Sequence, residues 1–162
     1  MNNLTQEMLK AALHYDENTG LFTWRSDRGN GSRKHDIAGR VCSRGHVQIY
    51  LHGKRHYAHR LVWLYVYGSW PVYQIDHIDG VRTNNNLANL RDVTHGINVQ
   101  NRRSASKRSK SGLLGVSPKQ NKWVAQISID KKKKHIGYFD TAIEAHEAYM
   151  LVKREMHIGN TI

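Results

Sequence analysis

One stretch, YQIDHIDGVRTNNNLANLRDVTHGINVQN from Tyr73 to Asn101, constrains this chain more than any other. It holds an adjacent Asp76-His77 pair, a loop rich in Asn and Gly, Asn89-Leu90 and then Asn98. The pattern predicts a strand, a loop, a short strand and a helix. Tyr73–Asp76 is the expected first strand and Leu90–Val93 the second. Thr94 caps a helix expected from His95 to Arg102, with Asn98 in its second turn. A hairpin followed by a helix can gather one base and two oxygen ligands around a metal ion.

Charge points to the partner. Lys and Arg total 25 against 13 acids, a formal net charge of +12 over 162 residues. So large an excess favours a polyanion, with nucleic acid ahead of an anionic membrane surface. The longest apolar run, Leu61 to Tyr67, is too short to span a bilayer, and no secretory leader is recognisable at the start. The single Cys42 excludes an internal disulfide and a multi-cysteine zinc cluster. A reducing cytoplasm is the expected location. Hydrophobic residues are only 39%, which argues against one large core.

Residues 4–15 read as a helix with Thr5 as N-cap, Glu7 in the first turn and Leu4 stapled to Leu9. DENTG then turns the chain into a strand, LFTW. Residues 25–40 are Gly-rich and basic, a loop by composition. VQIYL and KRHYAH flank a His52-Gly53 turn, a hairpin signal. RLVWLYVYG is continuously apolar and is expected to be helix, because Gly68 and Pro71 supply a stop. Trp63, Trp70 and Tyr73 are expected in the core. His59 is expected to be a satisfied core or cap histidine, and His46, His52 and His56 to lie at the surface or face phosphates. Asp79 and Asn84–Asn86 are expected turn formers.

Residues 102–112, RRSASKRSKSG, are basic, small and nearly free of apolar groups, as a linker is. Arg102, Arg103, Lys107, Arg108 and Lys110 are expected to lie along phosphates. A second unit follows at 113–162. LLGVS is a short strand, and KWVAQISI alternates with Trp123, Ala125, Ile127 and Ile129 on one face. KHIGYF is a third strand. Thr141 and Glu144 form a capping box before a helix whose apolar stripe is Ala145, Ala148, Tyr149, Val152 and Met156. The sheet face away from that helix is left open. Around it stand Lys119, Lys122, Lys131, Lys132, Lys133 and Lys134, all expected to contact DNA.

Hydrolysis of a phosphodiester needs an activated water, neutralised charge at phosphorus and a stabilised leaving 3′-oxygen. A hard divalent cation serves the last two, and a neutral imidazole suits the first. Adjacent strand residues point to opposite faces, so Asp76 and His77 can serve one site only if the strand ends or twists there.

IDHIDGVRTNNNLANLR followed by THGINVQN closely resembles the HNH endonuclease family, and more narrowly the phage and intron-encoded HNH homing endonucleases. YDENTGLFTW, YAHRLVW and the GSWP turn resemble that family's N-terminal region, so the likeness covers about residues 4–101. The resemblance implies a ββα-metal core at 72–101. It makes His77 the general base and Asn89 the residue that orients the base and its loop. Asp76 and Asn98 become the ligands of one Mg²⁺ or Mn²⁺. The spacings, 12 from His77 to Asn89 and 9 from Asn89 to Asn98, agree with the homing branch. Asn84-Asn85-Asn86 stands where DNR is usual, which leaves the roles of Asn84 and Asn86 open. Arg91 follows the motif Leu90 and is implied at a phosphate. Zinc-stapled variants of the family need four cysteines, which this chain lacks.

GVSPKQNKWVAQISIDKKKKHIGYFDTAIEAHEAY resembles the ethylene-response-factor (AP-two type) DNA-binding domain. Gly115-Val116, Trp123-x-Ala125-x-Ile127, Ile136-Gly137-x-Phe139-x-Thr141 and Ala145 to Tyr149 carry the likeness. Such domains lay their sheet in the major groove. The Arg residues usual on that sheet are Lys or Gln here, so base specificity does not carry over. The expected protein is α+β: an HNH nuclease region at 1–101, with an N-terminal helix and hairpin, a basic linker at 102–112 and a DNA-binding unit at 113–162. Its expected work is metal-dependent cleavage of double-stranded DNA. The rival reading is a DNA-binding regulator with an inactive HNH fold, and an RNA-binding role ranks below both because no aromatic stacking signature is present.

Overall fold

The computed structural model describes residues 4–29, 31–129 and 132–161. Lys131, one of the expected phosphate contacts, lies outside the described residues. The chain forms two compact units, Met1–Val93 and Thr94–Ile162. The described residues hold four α-helices and several small antiparallel sheets. No described helix is long and apolar enough to cross a membrane.

The first unit opens with α1 (Gln6–Ala12), whose N-cap Thr5 accepts from the Met8 amide and which buries Leu9. The helix expected to reach Tyr15 stops at Ala12. Residues 13–16 form β1 (Leu13–Asp16) instead, paired with β2 (Leu21–Trp24). Two forces favour the strand. Leu13 and Tyr15 alternate inward with exposed His14 between them. The Asp16 carboxylate also accepts from the Asn18 amide and the Thr19 hydroxyl, which closes the turn that returns the chain.

Next come β3 (Arg40–Val41), β4 (Val47–Leu51) and β5 (Lys54–Tyr57), in sheet order β3-β4-β5. The β4–β5 turn places His52 and Gly53 at φ 47° and 77°, the left-handed pair that a tight two-residue hairpin requires. α2 (Ala58–Tyr67) starts two residues before the expected Arg60 and ends at Gly68, φ 74°, whose amide donates to the Leu64 carbonyl.

β6 (Gln74–His77) and β7 (Leu90–Val93) pair antiparallel. The first strand begins one residue later than expected. Asp92 explains the shift: its carboxylate accepts the amides of Val72 and Tyr73 at 2.7 and 2.9 Å. With those amides held by a side chain, the ladder starts at Gln74. Tyr73, expected in the core, is exposed there. The core is built from Leu9, Leu13, Phe22, Ile49, Leu51, Leu61 and Ile75, with Trp63 and Trp70 packed against its edge.

The second unit takes in α3 (His95–Gln100), residues 102–112 and the C-terminal sheet and helix. The expected boundary after residue 101 lies inside it. α3 ends two residues before the expected Arg102, where Asn101 is buried and accepts from the Thr161 hydroxyl. The sheet runs β8 (Val116–Lys119), β9 (Lys122–Ile129), β10 (Lys132–Phe139). LLG of the expected first strand stays outside it. α4 (Ala142–Met156) carries the expected capping box and packs Ala145 and Tyr149 against Val116, Ala125 and Ile127. A Cβ at Gly115 would come within 2.0 Å of the Tyr149 ring, so no larger residue fits there.

Two expectations change in this unit. Met156 is exposed, and Lys153 takes the buried place on α4, 1% exposed. Its Nζ donates to the Arg102 carbonyl at 2.6 Å, the partner a buried ammonium needs. The 102–112 segment is therefore tied down at both ends. Arg103 donates to Thr161, and the Ser111 hydroxyl donates to the Val116 carbonyl.

Candidate active site

The β6–β7 hairpin decides which way the central side chains face. Asp76 stands opposite Arg91 in register, and the guanidinium grips one carboxylate oxygen through Nη2 at 2.8 Å and Nε at 2.9 Å. Arg91, implied at a phosphate, is thus engaged by Asp76. His77 is the last residue of β6, and its side chain takes other partners. Its ring centroid lies 5.2 Å from that of His59 and 5.8 Å from that of His46. The two neighbours take different partners, the strand ends at His77, and both are buried.

His77 Nε2 lies 3.2 Å from Asn85 Oδ1, and Asn85 Nδ2 donates to the Thr83 carbonyl at 3.2 Å. An amide oxygen only accepts, so Nε2 carries the proton of the neutral ring and Nδ1 carries the lone pair. Burial lowers the pKa of His77 first of all; the Asn85 bond and the charges of Asp79 and Asp76 oppose that, while Arg82 adds to it. The ring is neutral at neutral pH, the state a proton acceptor must have.

Asn89 holds the loop that follows His77. Its Oδ1 accepts the Asp79 amide, and its Nδ2 donates to the Asp79 carboxylate and the Asn84 carbonyl, each at 2.9 Å. The Ile78 amide donates to the Asn89 carbonyl and the Gly80 amide to the His77 carbonyl. Asp79 is the expected turn residue, accepting from the Val81 amide and from Asn84 Nδ2. Asn86 caps the short 3-10 turn Leu87–Asn89 and donates to the carbonyls of Glu17 and Asn18. Asn85 goes beyond turn formation, for it is buried against the histidine.

The three-histidine cluster is the part that sequence reasoning missed. One ring nitrogen of each of His46, His59 and His77 lies within 4.8 Å of those of the other two, so the three could hold a metal ion. His46, expected at the surface, is half-buried just before β4. His59 sits in the first turn of α2 with the Tyr57 ring stacked on it at 5.3 Å. It is buried as expected, but its Nδ1 has no hydrogen-bond partner, and neither has Nδ1 of His46. Burial, then neighbouring positive charge, pushes His46 down to about 4 and His59 to about 3. No short motif joins residues 46, 59 and 77, so only packing brings them together. His56 is half-buried and stacks on Trp70 at 5.9 Å, and His52 is exposed in its turn.

This buried histidine at the end of a hairpin, with an asparagine pinning its loop, lies within a recognisable segment. Residues 56–100 match the HNH endonuclease family model. The matched HNH segment runs from β5 through α2 and the β6–β7 hairpin into α3, and it contains His59, His77, Asn85, Asn89 and Asn98 but not His46. It supports nuclease activity on DNA, and nucleases of this family generally use a divalent metal. No curated protein and no solved structure matches the chain.

The remaining expected residues lie in the second unit. Asn98 is half-buried in α3. Arg102, Arg103, Lys107, Arg108 and Lys110 lie in the segment before the sheet, all five exposed. On the sheet, register sorts the lysines. Lys119 pairs with Lys122, and Lys133 with Ser128, which puts these three on the face away from α4 with Gln126, His135 and Tyr138. Lys119 Nζ donates to the Tyr138 hydroxyl at 2.9 Å, and Lys122 pairs with Asp140. Lys132 and Lys134 lie opposite Ile129 and Ile127 on the helix side, where Lys134 Nζ reaches Met156 Sδ at 3.6 Å. They do not join the open face. Trp123 packs with the core, as expected.

Proposed function

We propose that this protein is a metal-dependent DNA endonuclease of the HNH homing type, hydrolysing phosphodiester bonds through a ββα-metal site at 72–101. The observation that carries the reading is the buried, neutral His77 ring with its tautomer set by Asn85. In that state Nδ1 takes the proton from the attacking water while Nε2–H stays anchored. Asn89 keeps the following loop closed, so the ring meets the substrate in one orientation.

Asp76 and Asn98 are the proposed ligands of one Mg²⁺ or Mn²⁺. Carboxylate and amide oxygens are the hard donors such an ion takes, so the donor set fits. Once bound, the ion supplies charge neutralisation at the phosphate and the leaving oxygen. Arg91 holds the Asp76 carboxylate in place from across the ladder. In the second unit, the face with Lys119, Lys122 and Lys133 is proposed to enter the major groove in the manner of the ethylene-response-factor domains, with the basic 102–112 segment on phosphates.

The test is plasmid cleavage in Mg²⁺ by the full chain and by His77→Ala. Loss of a positioned base costs about 10²–10⁴-fold, with DNA binding by gel shift kept. EDTA is expected to abolish cutting and spare binding. Cleavage by His77→Ala at the parental rate would overturn the assignment. Binding without any cutting by the unaltered chain would leave the regulator reading in its place.

A further inference from the structure

The first unit brings three imidazoles together, His59 and His77 buried and His46 half-buried. The two Nδ1 atoms of His46 and His59 are buried without a hydrogen-bond partner, although buried polar atoms are ordinarily paired. With one nitrogen from each ring inside a 4.8 Å circle, the cluster has the composition of a three-nitrogen metal site. Bonds of about 2.0–2.1 Å in tetrahedral array set ligand nitrogens roughly 3.4 Å apart, so modest ring rotations close it. The donor type excludes the Mg²⁺ class, which takes oxygen; imidazole suits zinc, cobalt, nickel and copper. Arg82, Arg44 and Arg60 act on these rings from outside, and Asp79 and Asp76 act on His77 with the opposite sign.

His77 belongs to this cluster and to the proposed chemistry at once. Its Nε2 lies against Asn85 Oδ1, and the ring offers one nitrogen to the cluster. We propose that His46, His59 and His77 form a site for a borderline transition-metal dication, zinc foremost, and that its occupancy takes the His77 lone pair and stops cleavage. The second half rests on His77 being the base.

Titrating the metal-stripped full chain with Co²⁺ tests the site without any assay of activity. One equivalent is expected to give the intense visible absorption of a low-symmetry tetrahedral centre, displaced by Zn²⁺. Histidine ring NMR signals of the unaltered chain are expected to shift for three residues only. His46→Gln, at the half-buried corner, is expected to lose the absorption, whereas His135→Gln on the other unit keeps it. In Mg²⁺, added Zn²⁺ is expected to inhibit cleavage with the same midpoint as binding. In His46→Gln that midpoint is expected to rise at least about tenfold, judged against the variant's own Mg²⁺ rate. Absence of both the absorption and the NMR shifts overturns the site, even if His46→Gln fails to fold. Stoichiometric binding at the three histidines with undiminished cleavage overturns the switch. If the chain cuts no DNA in Mg²⁺, the nuclease reading fails, and the spectra still decide the metal site.

Discussion

His77 Nε2 lies 3.2 Å from the side-chain oxygen of Asn85, a residue only 1% exposed. That bond chooses the tautomer of the proposed base. Asn85→Leu keeps much of the volume and removes the acceptor that fixes the ring. A fall in kcat of about 10–100-fold is expected, the size seen when a group orienting a functional histidine is removed. KM should hardly move. A parallel rise in KM with kcat unchanged would show that Asn85 serves binding instead.

The Asp76–Arg91 ion pair yields a metal-dependent stability prediction. Arg91→Met leaves a buried carboxylate without its guanidinium, and breaking a buried pair costs about 3–5 kcal/mol at full burial. The Arg91 side chain is 25% exposed, so a smaller loss, about 2 kcal/mol, is expected in EDTA. If Asp76 is a metal ligand, Mg²⁺ restores part of this, and Tm rises more with Mg²⁺ in the variant than in the parent. Equal Mg²⁺ shifts in both proteins would argue against Asp76 as ligand.

Acid should unfold the first unit early. His46 and His59 have pKa values of about 4 and about 3 in the folded chain, against 6.5 unfolded. Both are depressed, because burial disfavours the charged ring. Their contribution is therefore complete above pH 6.5 and is lost as pH falls through 4 towards 3, when the unfolded chain binds protons the folded one refuses. Without metal, a loss on the order of a few kcal/mol is expected over that window. His59→Leu should flatten the slope of stability against pH, and an unchanged slope would place the acid-sensitive group elsewhere.

The lysines divide by face. Lys119→Gln, Lys122→Gln and Lys133→Gln should each weaken DNA binding and lower the salt slope by about 1 for each phosphate the side chain no longer neutralises. Lys134→Gln, on the side that reaches Met156, should leave the slope unchanged. Affinity measured across a salt series separates the two groups. If Lys134 proved as important as Lys133, α4 rather than the open face would be the DNA surface.

Local rules were enough for much of this fold. The β4–β5 turn, the Gly68 stop, the Leu90–Val93 strand and the Thr141–Glu144 capping box are short-range features, and each was legible from a few neighbouring residues. The misreadings came where a distant group competed. Asp92 took the amides of Val72 and Tyr73 and delayed β6 by one residue. Pairing with Leu21–Trp24 drew Leu13, His14 and Tyr15 out of the expected helix. Lys153 displaced Met156 from the buried face because the Arg102 carbonyl was there to receive it.

The order and spacing of Asp76, His77, Asn89 and Asn98 were determined by sequence alone, since a hairpin and its loop are local and their turn chemistry is written in adjacent residues. The basic charge, and with it the preference for a polyanionic partner, was equally a matter of composition. Only the tertiary structure decided what surrounds His77. His46 and His59 come from a loop end and a helix start, and burial of a common core, not any motif, sets their rings against it. The same packing buried Asn85 behind the ring. Long-range burial is a property of the whole unit, and no window of neighbouring residues contains it.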